Sequence, residues 1–181
     1  MKAEPALSSR IARMGEIFQL AYVPGDMEAA IRFWTQLMGA GPFFRRRALS
    51  FEHSLYRGAP SPIRFDVLIG YWGNLQIELI EQLNDAPSIY RDWTAAGQEG
   101  LQHVCIAVDD ITAARAQSVD QGMEVVQEVY WPGGGAIYVD TGGGPGTMVE
   151  MVQLAPEGHA RFAMYRDAAR GWNGADPVRD I

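Results

Sequence analysis

The chain has 181 residues, 48% of them hydrophobic, and a formal net charge of −7. That length fits one compact domain or two small units sharing a core, and the acidic balance argues against binding a phosphate backbone, so no nucleic-acid partner is expected. No apolar run reaches the roughly 18 residues of a membrane helix, the stretch MKAEPALSSRIARMG lacks the apolar centre of a signal peptide, and the single Cys105 leaves no intramolecular disulfide, so a cytoplasmic protein away from membranes is the expectation.

An N-terminal extension over 1–15 precedes the first apolar alternation, which predicts a strand near 16–23 (IFQLAYV). A helix follows from Asp26, an N-cap residue type, to Gly39, a C-cap residue type, with Ala30, Phe33, Trp34 and Leu37 on one face. Period-2 patterns then predict strands at 43–49, 51–57, 62–70 and 75–82, completing a first unit over 16–84. SIYRDWTAAG reads as a short helix in a linker spanning 85–100. The second unit, 101–154, gives a strand at 101–108, a helix at 110–121 ended by Gly122, and strands near 123–130, 135–140 and 147–154. A helix at about 157–170 and a polar tail occupy 155–181.

The two units repeat one another. Gln19 on the first strand is followed seven residues later by Asp26 and a helix beginning DMEAA; His103 on LQHVCIAV is followed seven residues later by Asp110 and DITAA, and both correspondences are offset by 84 residues. Later in each unit an apolar strand carries one central glutamate, Glu78 in LQIELI and Glu150 in TMVEMV. Each unit is therefore strand, helix, then antiparallel strands, and neither alone covers both faces of its sheet. The expected fold is α+β: two paired βαβββ modules forming a curved mixed sheet, plus a C-terminal helix. Alternation places Gln19, Glu78, His103 and Glu150 on one face, and Leu20, Tyr22, Ile77, Leu79, Val104, Ile106, Val149 and Met151 on the other, under the helices.

A glutamate on an apolar strand is costly to bury ionised and must find a cation, a hydrogen-bond network or a raised pKa. Two carboxylates, one imidazole and one amide oxygen at repeated positions form a ligand set for a divalent metal ion with open positions (Zn, Ni, Co, Mn or Fe), because thiolates are absent and two negative charges neutralise the ion. Cys105 shares the face of His103, either as a further ligand or as a small buried residue. His53 and His159 read as surface residues. Arg45, Arg46 and Arg47 alternate faces, so one or two can meet an anionic substrate while the others are solvated. Tyr71, Trp72, Tyr130 and Trp131 suit either the walls of an apolar pocket or core packing. The glycines of WPGGGAIYVDTGGGPG lack the GK[ST] and following helix of a phosphate loop and fit hairpin turns.

Across residues 16 to 154 these features resemble the vicinal oxygen chelate superfamily, which includes glyoxalase I, methylmalonyl-CoA epimerase, extradiol dioxygenases and bleomycin-resistance proteins. FQLAYVPGDMEAAIRFWTQLMGAGPF is similar to its first strand and helix, GLQHVCIAVDDITAA to the start of its second module, and LNDAPSIYRDWTAAGQEGLQH to the linking segment of the epimerases. The set Gln19, Glu78, His103 and Glu150 resembles that of one glyoxalase I branch, in which four such ligands hold an octahedral ion with two waters; the epimerases have His, Gln, His and Glu in the same order. Val23 stands where that branch has an arginine for a glutathione carboxylate, and AAGQEG lacks another. The epimerases' second base falls nearest Asp66. A homodimer is also implied.

The resulting expectation is a metal-dependent isomerase, lyase or epimerase acting on a small carbonyl substrate. The metal would stabilise an enediolate or enolate, with Glu150 or Glu78 as the catalytic base. The alternatives are an Fe(II) dioxygenase of the extradiol type, which uses two histidines and one carboxylate, and a metal-free small-molecule binding or resistance protein.

Overall fold

A computed structural model describes residues 11–181. The extension expected over 1–15 therefore lies outside the described residues as far as residue 10; a 3-10 turn, Ile11–Arg13, leads into the first strand. The elements in order are β1 (Ile17–Val23), α1 (Met27–Arg32), β2 (Phe43–Leu49), β3 (His53–Tyr56), β4 (Ala59–Pro60), β5 (Phe65–Trp72), β6 (Leu75–Gln82) and α2 (Ile89–Ala95). They continue with β7 (Gly100–Ala107), α3 (Ile111–Asp120), β8 (Glu124–Trp131), β9 (Gly134–Asp140), β10 (Met148–Gln153), α4 (Pro156–Ala169) and β11 (Val178–Asp180).

The repeat is carried by matching local chemistry. Asp26 caps α1 by accepting from the Ala29 N–H at 2.9 Å, and Asp110 caps α3 by accepting from Thr112 N–H at 2.9 Å and Ala113 N–H at 3.0 Å; each turns the chain from strand into helix at the same point of its module. The end of α1 widens into a π-helical turn over Phe33–Leu37, and Gly39, at φ 67°, ends it in the left-handed region.

All eleven strands join one curved mixed sheet in the order β11-β2-β5-β6-β1-β7-β10-β9-β8-β3-β4. At its centre β1 and β7 run antiparallel, pairing Leu20 with Val104 and Ala21 with His103. Each has a parallel neighbour from its own half, β6 beside β1 and β10 beside β7. The helix-covered side holds two small cores: Ile31, Trp34, Leu68, Ile77 and Leu79 with α1, and Ile106, Ile111, Ile137, Val139 and Met151 with α3. The larger core lies on the concave side, where α2 and α4 add Ile89, Tyr90, Trp93 and Tyr165.

Two segments depart from the sequence expectation. The strand expected over 51–57 is the shorter β3, and it pairs not with the first module but with β8 of the second, Ser54 opposite Val129. The chain between β2 and β3 thus crosses the open side of the sheet. Phe51 anchors the crossing, packing against Phe65 of β5 (6.2 Å) and Trp131 of β8 (5.5 Å), one ring from each half. The polar tail contains β11, which pairs in parallel with β2, Val178 opposite Phe43. Its alternation is too short to show in the sequence. The glycine clusters serve turns: Gly133 (φ 77°) closes the β8–β9 hairpin, and Asp140 accepts from Gly142 N–H at 2.8 Å in the loop to β10.

Candidate metal centre

The four residues singled out in the sequence lie on four adjacent strands, β6-β1-β7-β10. Glu78 sits two residues beyond the partner of Gln19 on β6, and Glu150 sits two residues beyond the partner of His103 on β10, so the register repeats the symmetry of the sequence. Gln19, His103 and Glu150 are buried and the Glu78 side chain is 14% exposed. Ligand atoms of Glu78, His103 and Glu150 all lie within 4.8 Å of one another. His103 Nε2 is 3.1 Å from Glu150 Oε2 and 3.8 Å from Glu78 Oε2. Gln19 lines the same cavity of about 350 Å³ with Glu78 and Glu150.

Neighbouring side chains fix these groups in place. Gln102 directs Oε1 at His103 Nδ1 (2.6 Å) while its Nε2 donates to the Met148 thioether at 3.4 Å. With Nδ1–H donating to Gln102, the Nε2 lone pair faces the two carboxylates. One imidazole nitrogen and two carboxylates then converge, an arrangement that a shared cation satisfies once Glu78 gives up its proton. Gln19 Nε2 donates to Gln76 Oε1 (2.6 Å), and Gln76 Nε2 donates to the Tyr71 hydroxyl (2.9 Å), so Oε1 is the atom Gln19 has left to offer an ion. The donor set and its convergence fit a divalent metal.

Tyr138 OH donates to Glu150 Oε1 at 3.2 Å and accepts from Tyr90 OH at 3.3 Å. Burial, then repulsion from Glu150, pushes the Glu78 carboxyl well above its usual range. Burial likewise raises the Tyr138 and Tyr90 phenols and the Cys105 thiol, and the neighbouring carboxylates add to it. Cys105 lines the cavity beside Glu150 as a buried thiol. It is outside the cluster of converging ligand atoms.

The remaining candidates separate by strand parity. Asp66, the nearest candidate for a second base, points away from the cavity: Val67 and Ile69 of β5 line it, whereas Asp66 turns to the opposite face, accepting from Ala48 N–H at 2.7 Å and lying 3.6 Å from Arg47. Its carboxylate holds the β2 bulge at Ala48, where φ is 49°. Arg46 lines the cavity, while Arg45 and Arg47 face the other side. Tyr71 is buried beneath the ligands, Trp131 walls the cavity, Trp72 is exposed, and Tyr130 OH donates to Glu128 (2.6 Å) away from the site. His53 and His159 are exposed. Gln76, Gln102, Tyr90, Tyr138 and Arg161 are the cavity and support residues that the sequence did not single out. Gln76 and Gln102 carried a signal, being amides in apolar strands next to ligand positions.

The fold and the repeated register identify the lineage together with a family model that matches residues 18–139, described as the Glyoxalase/Bleomycin resistance protein/Dioxygenase superfamily. The chain belongs to this superfamily. No curated protein matches the sequence. Among solved structures of the same fold, a hypothetical protein from Bacillus halodurans has 15% identity and a TM-score of 0.55, covering 78% of this chain and 95% of its own. Methylmalonyl-CoA epimerase from Mycobacterium tuberculosis has 19% identity and a TM-score of 0.51, covering 81% of this chain and 91% of its own. A methylmalonyl-CoA epimerase in complex with methylmalonyl-CoA and NH4+ also has 19% identity and a TM-score of 0.51, over 79% and 96%. At these identities the likeness is one of fold, and superfamily membership leaves chemistry to the residues of the site. No helix among the described residues is long and apolar enough to cross a membrane.

Proposed function

We propose that the chain is a divalent-metal-dependent isomerase, epimerase or lyase that removes a proton from the carbon next to a carbonyl group of a small molecule. The observation that carries this reading is the convergence of His103 Nε2 with Glu78 and Glu150, within 4.8 Å, where the two carboxylates line a cavity on the concave side of the sheet. These three, with Gln19 Oε1, would hold the ion. Bound there, it supplies Lewis-acid stabilisation of the negative charge that develops on the substrate's carbonyl oxygen.

The side chains provide the rest. Glu150 is held from two sides, by His103 and by Tyr138, whereas Glu78 makes no side-chain hydrogen bond among the described residues and lies 3.8 Å from His103. Glu78 is therefore the freer carboxylate to swing toward the substrate and accept its proton, and Glu150 is the one held in position to return a proton from the other side. Val67, Ile69, Val129 and Trp131 line the walls and limit water around the reacting carbon. Retention of both glutamates, with Gln19 rather than a second histidine, supports proton transfer over the two-histidine, one-carboxylate arrangement of oxygen chemistry. The epimerase neighbours make acyl thioesters a class to test beside 2-oxo acids.

The test is metal analysis of the purified protein, followed by solvent deuterium exchange into 2-oxo acids and acyl-CoA esters. Exchange by the metal-loaded protein, lost by about 10²-fold or more in Glu78→Gln with the fold retained, is the expected result. Oxygen consumption without exchange would move the assignment to a dioxygenase, and absence of any tightly bound metal would move it to a binding protein.

A further inference from the structure

The wall of the cavity away from the ligands carries two arginines from distant parts of the chain. Arg46 comes from β2, in the first module, and Arg161 from α4, beyond the second. Both line the cavity that holds Gln19, Glu78 and Glu150. On either side of Arg46, the strand neighbours Arg45 and Arg47 are ion-paired, Arg45 with Asp180 at 4.0 Å and Arg47 with Asp180 at 3.2 Å. Neither Arg46 nor Arg161 has an ion-pair partner among the described residues. Burial and then the Arg161 charge hold Arg46 below the usual arginine range, which fits two cations sharing one partly buried cavity wall. Glu157, one turn before Arg161, also lines the cavity, but at the exposed rim and paired with neither arginine.

A buried polar group lies near these arginines, behind the residues that line the cavity. Tyr165 is fully buried, stacks on Phe44 at 4.4 Å and carries a hydroxyl with no hydrogen-bond partner. Burial raises its phenol, and the charges of Arg161 and Arg46 beside it oppose that rise. Two like charges without ion-pair partners in one cavity wall form an incomplete site that an anion completes, since planar guanidiniums match carboxylate oxygens.

We propose that Arg46 and Arg161 form an anion subsite that selects carbonyl substrates bearing a second, distal carboxylate. The position of the carbonyl rests on the proton-transfer reading above. Arg46 is opposite Val67, and Val67 is opposite Ile80, two residues along β6 from Glu78. Arg46 and Glu78 thus stand two strands apart, roughly 10 Å across the sheet. A carboxylate directly attached to the carbonyl would stay with the metal ligands, so the group met by the arginines is several bonds away. The apolar residues between them, Val67 and Ile69, suit a methylene chain. The substrate class is a chelating carbonyl head, a short hydrocarbon middle and an anionic tail.

Calorimetric titration of the metal-loaded protein with 2-oxoadipate and with 2-oxohexanoate, which lacks the distal carboxylate, tests this. Wild type should bind 2-oxoadipate at least tenfold more tightly. Arg46→Gln and Arg161→Gln should each reduce that ratio, and the double variant should abolish it with 2-oxohexanoate affinity and thermal unfolding unchanged. Equal affinity of wild type for the two acids, no binding of 2-oxoadipate, or a preference that survives in the double variant would overturn the subsite. Deuterium exchange read in the same samples separates the two ideas. Selective binding without exchange into either acid supports the subsite and removes the proton-transfer reading. Exchange into both acids without selectivity does the reverse.

Discussion

Glu78 makes the metal-free protein less stable as pH rises, and the size of the effect follows from its surroundings. Its carboxyl is 14% exposed, faces Glu150, and is held well above the ordinary carboxyl value of 4.5 first by burial and then by that neighbour's charge. The folded chain therefore keeps this proton to a higher pH than the unfolded chain does. Its stabilising contribution is complete below about pH 4.5 and is lost as pH rises through the raised folded value. Each unit of such a displacement corresponds to about 1.4 kcal/mol, so the chelator-stripped protein should lose stability progressively as pH rises from 5 to 8. For a chain of this size each kcal/mol lost lowers Tm by about 2–4 °C. Glu78→Gln removes the titrating group and should flatten the slope, raising the metal-free Tm at pH 8. A saturating divalent ion should reverse the slope in the wild type, because binding releases the proton. The assay is a pH series of thermal melts with and without metal. A metal-free Tm that is flat or rises from pH 5 to 8, or a slope unchanged in Glu78→Gln, would refute the assignment of a buried carboxylate pair at this site.

Two further outcomes can be checked independently. Gln102→Leu removes the acceptor that orients His103 through Nδ1 (2.6 Å) and should weaken metal affinity about 10–100-fold in chelator competition, with little change in the far-UV spectrum. Glu128, buried on the β8 strand, has its carboxyl raised by burial but lowered on balance by hydrogen bonds from Arg115 (2.7 and 3.1 Å) and Tyr130 (2.6 Å). Its ionised form should stabilise the fold above pH 4.5, a contribution that disappears as pH falls through its lowered folded value. Urea unfolding of Glu128→Gln at pH 7 and pH 3 should differ from wild type at the higher pH only.

The sequence exposed the parts of the fold that repeat. Asp26 and Asp110 mark the two helix starts because a capping aspartate has one job wherever it stands, and the alternation around Gln19 and His103 places both side chains on the concave face. Glu78 and Glu150 could be read for the same reason, as lone acids in apolar strands. What could not be read depends on partners far along the chain. Nothing near His53–Tyr56 announces that the strand will leave its own module for β8, since pairing choice rests on where Phe51 can bury its ring. Asp66 looked available for chemistry until the β2 bulge turned its carboxylate to Ala48. Arg161 sits on a helix whose sequence is half polar, and its meaning appears only once α4 lies across the concave face opposite Arg46.

The crossing between β2 and β3 also changes what the duplication means for folding. A chain built from two copies of one unit invites the picture of two hemispheres that fold separately and then dock. Here the first half lends its hairpin to the outer edge of the second, so neither half owns a finished sheet until the other is present. Closing that exchange requires contacts between residues some seventy positions apart, the kind of pairing that is slow to form and costly in loop entropy. The four polar residues on the central strands come together only through the β1–β7 seam. Ion binding would then be a property of the whole chain, and a fragment cut at the repeat boundary would retain only two of the four ligands and part of the wall beside them.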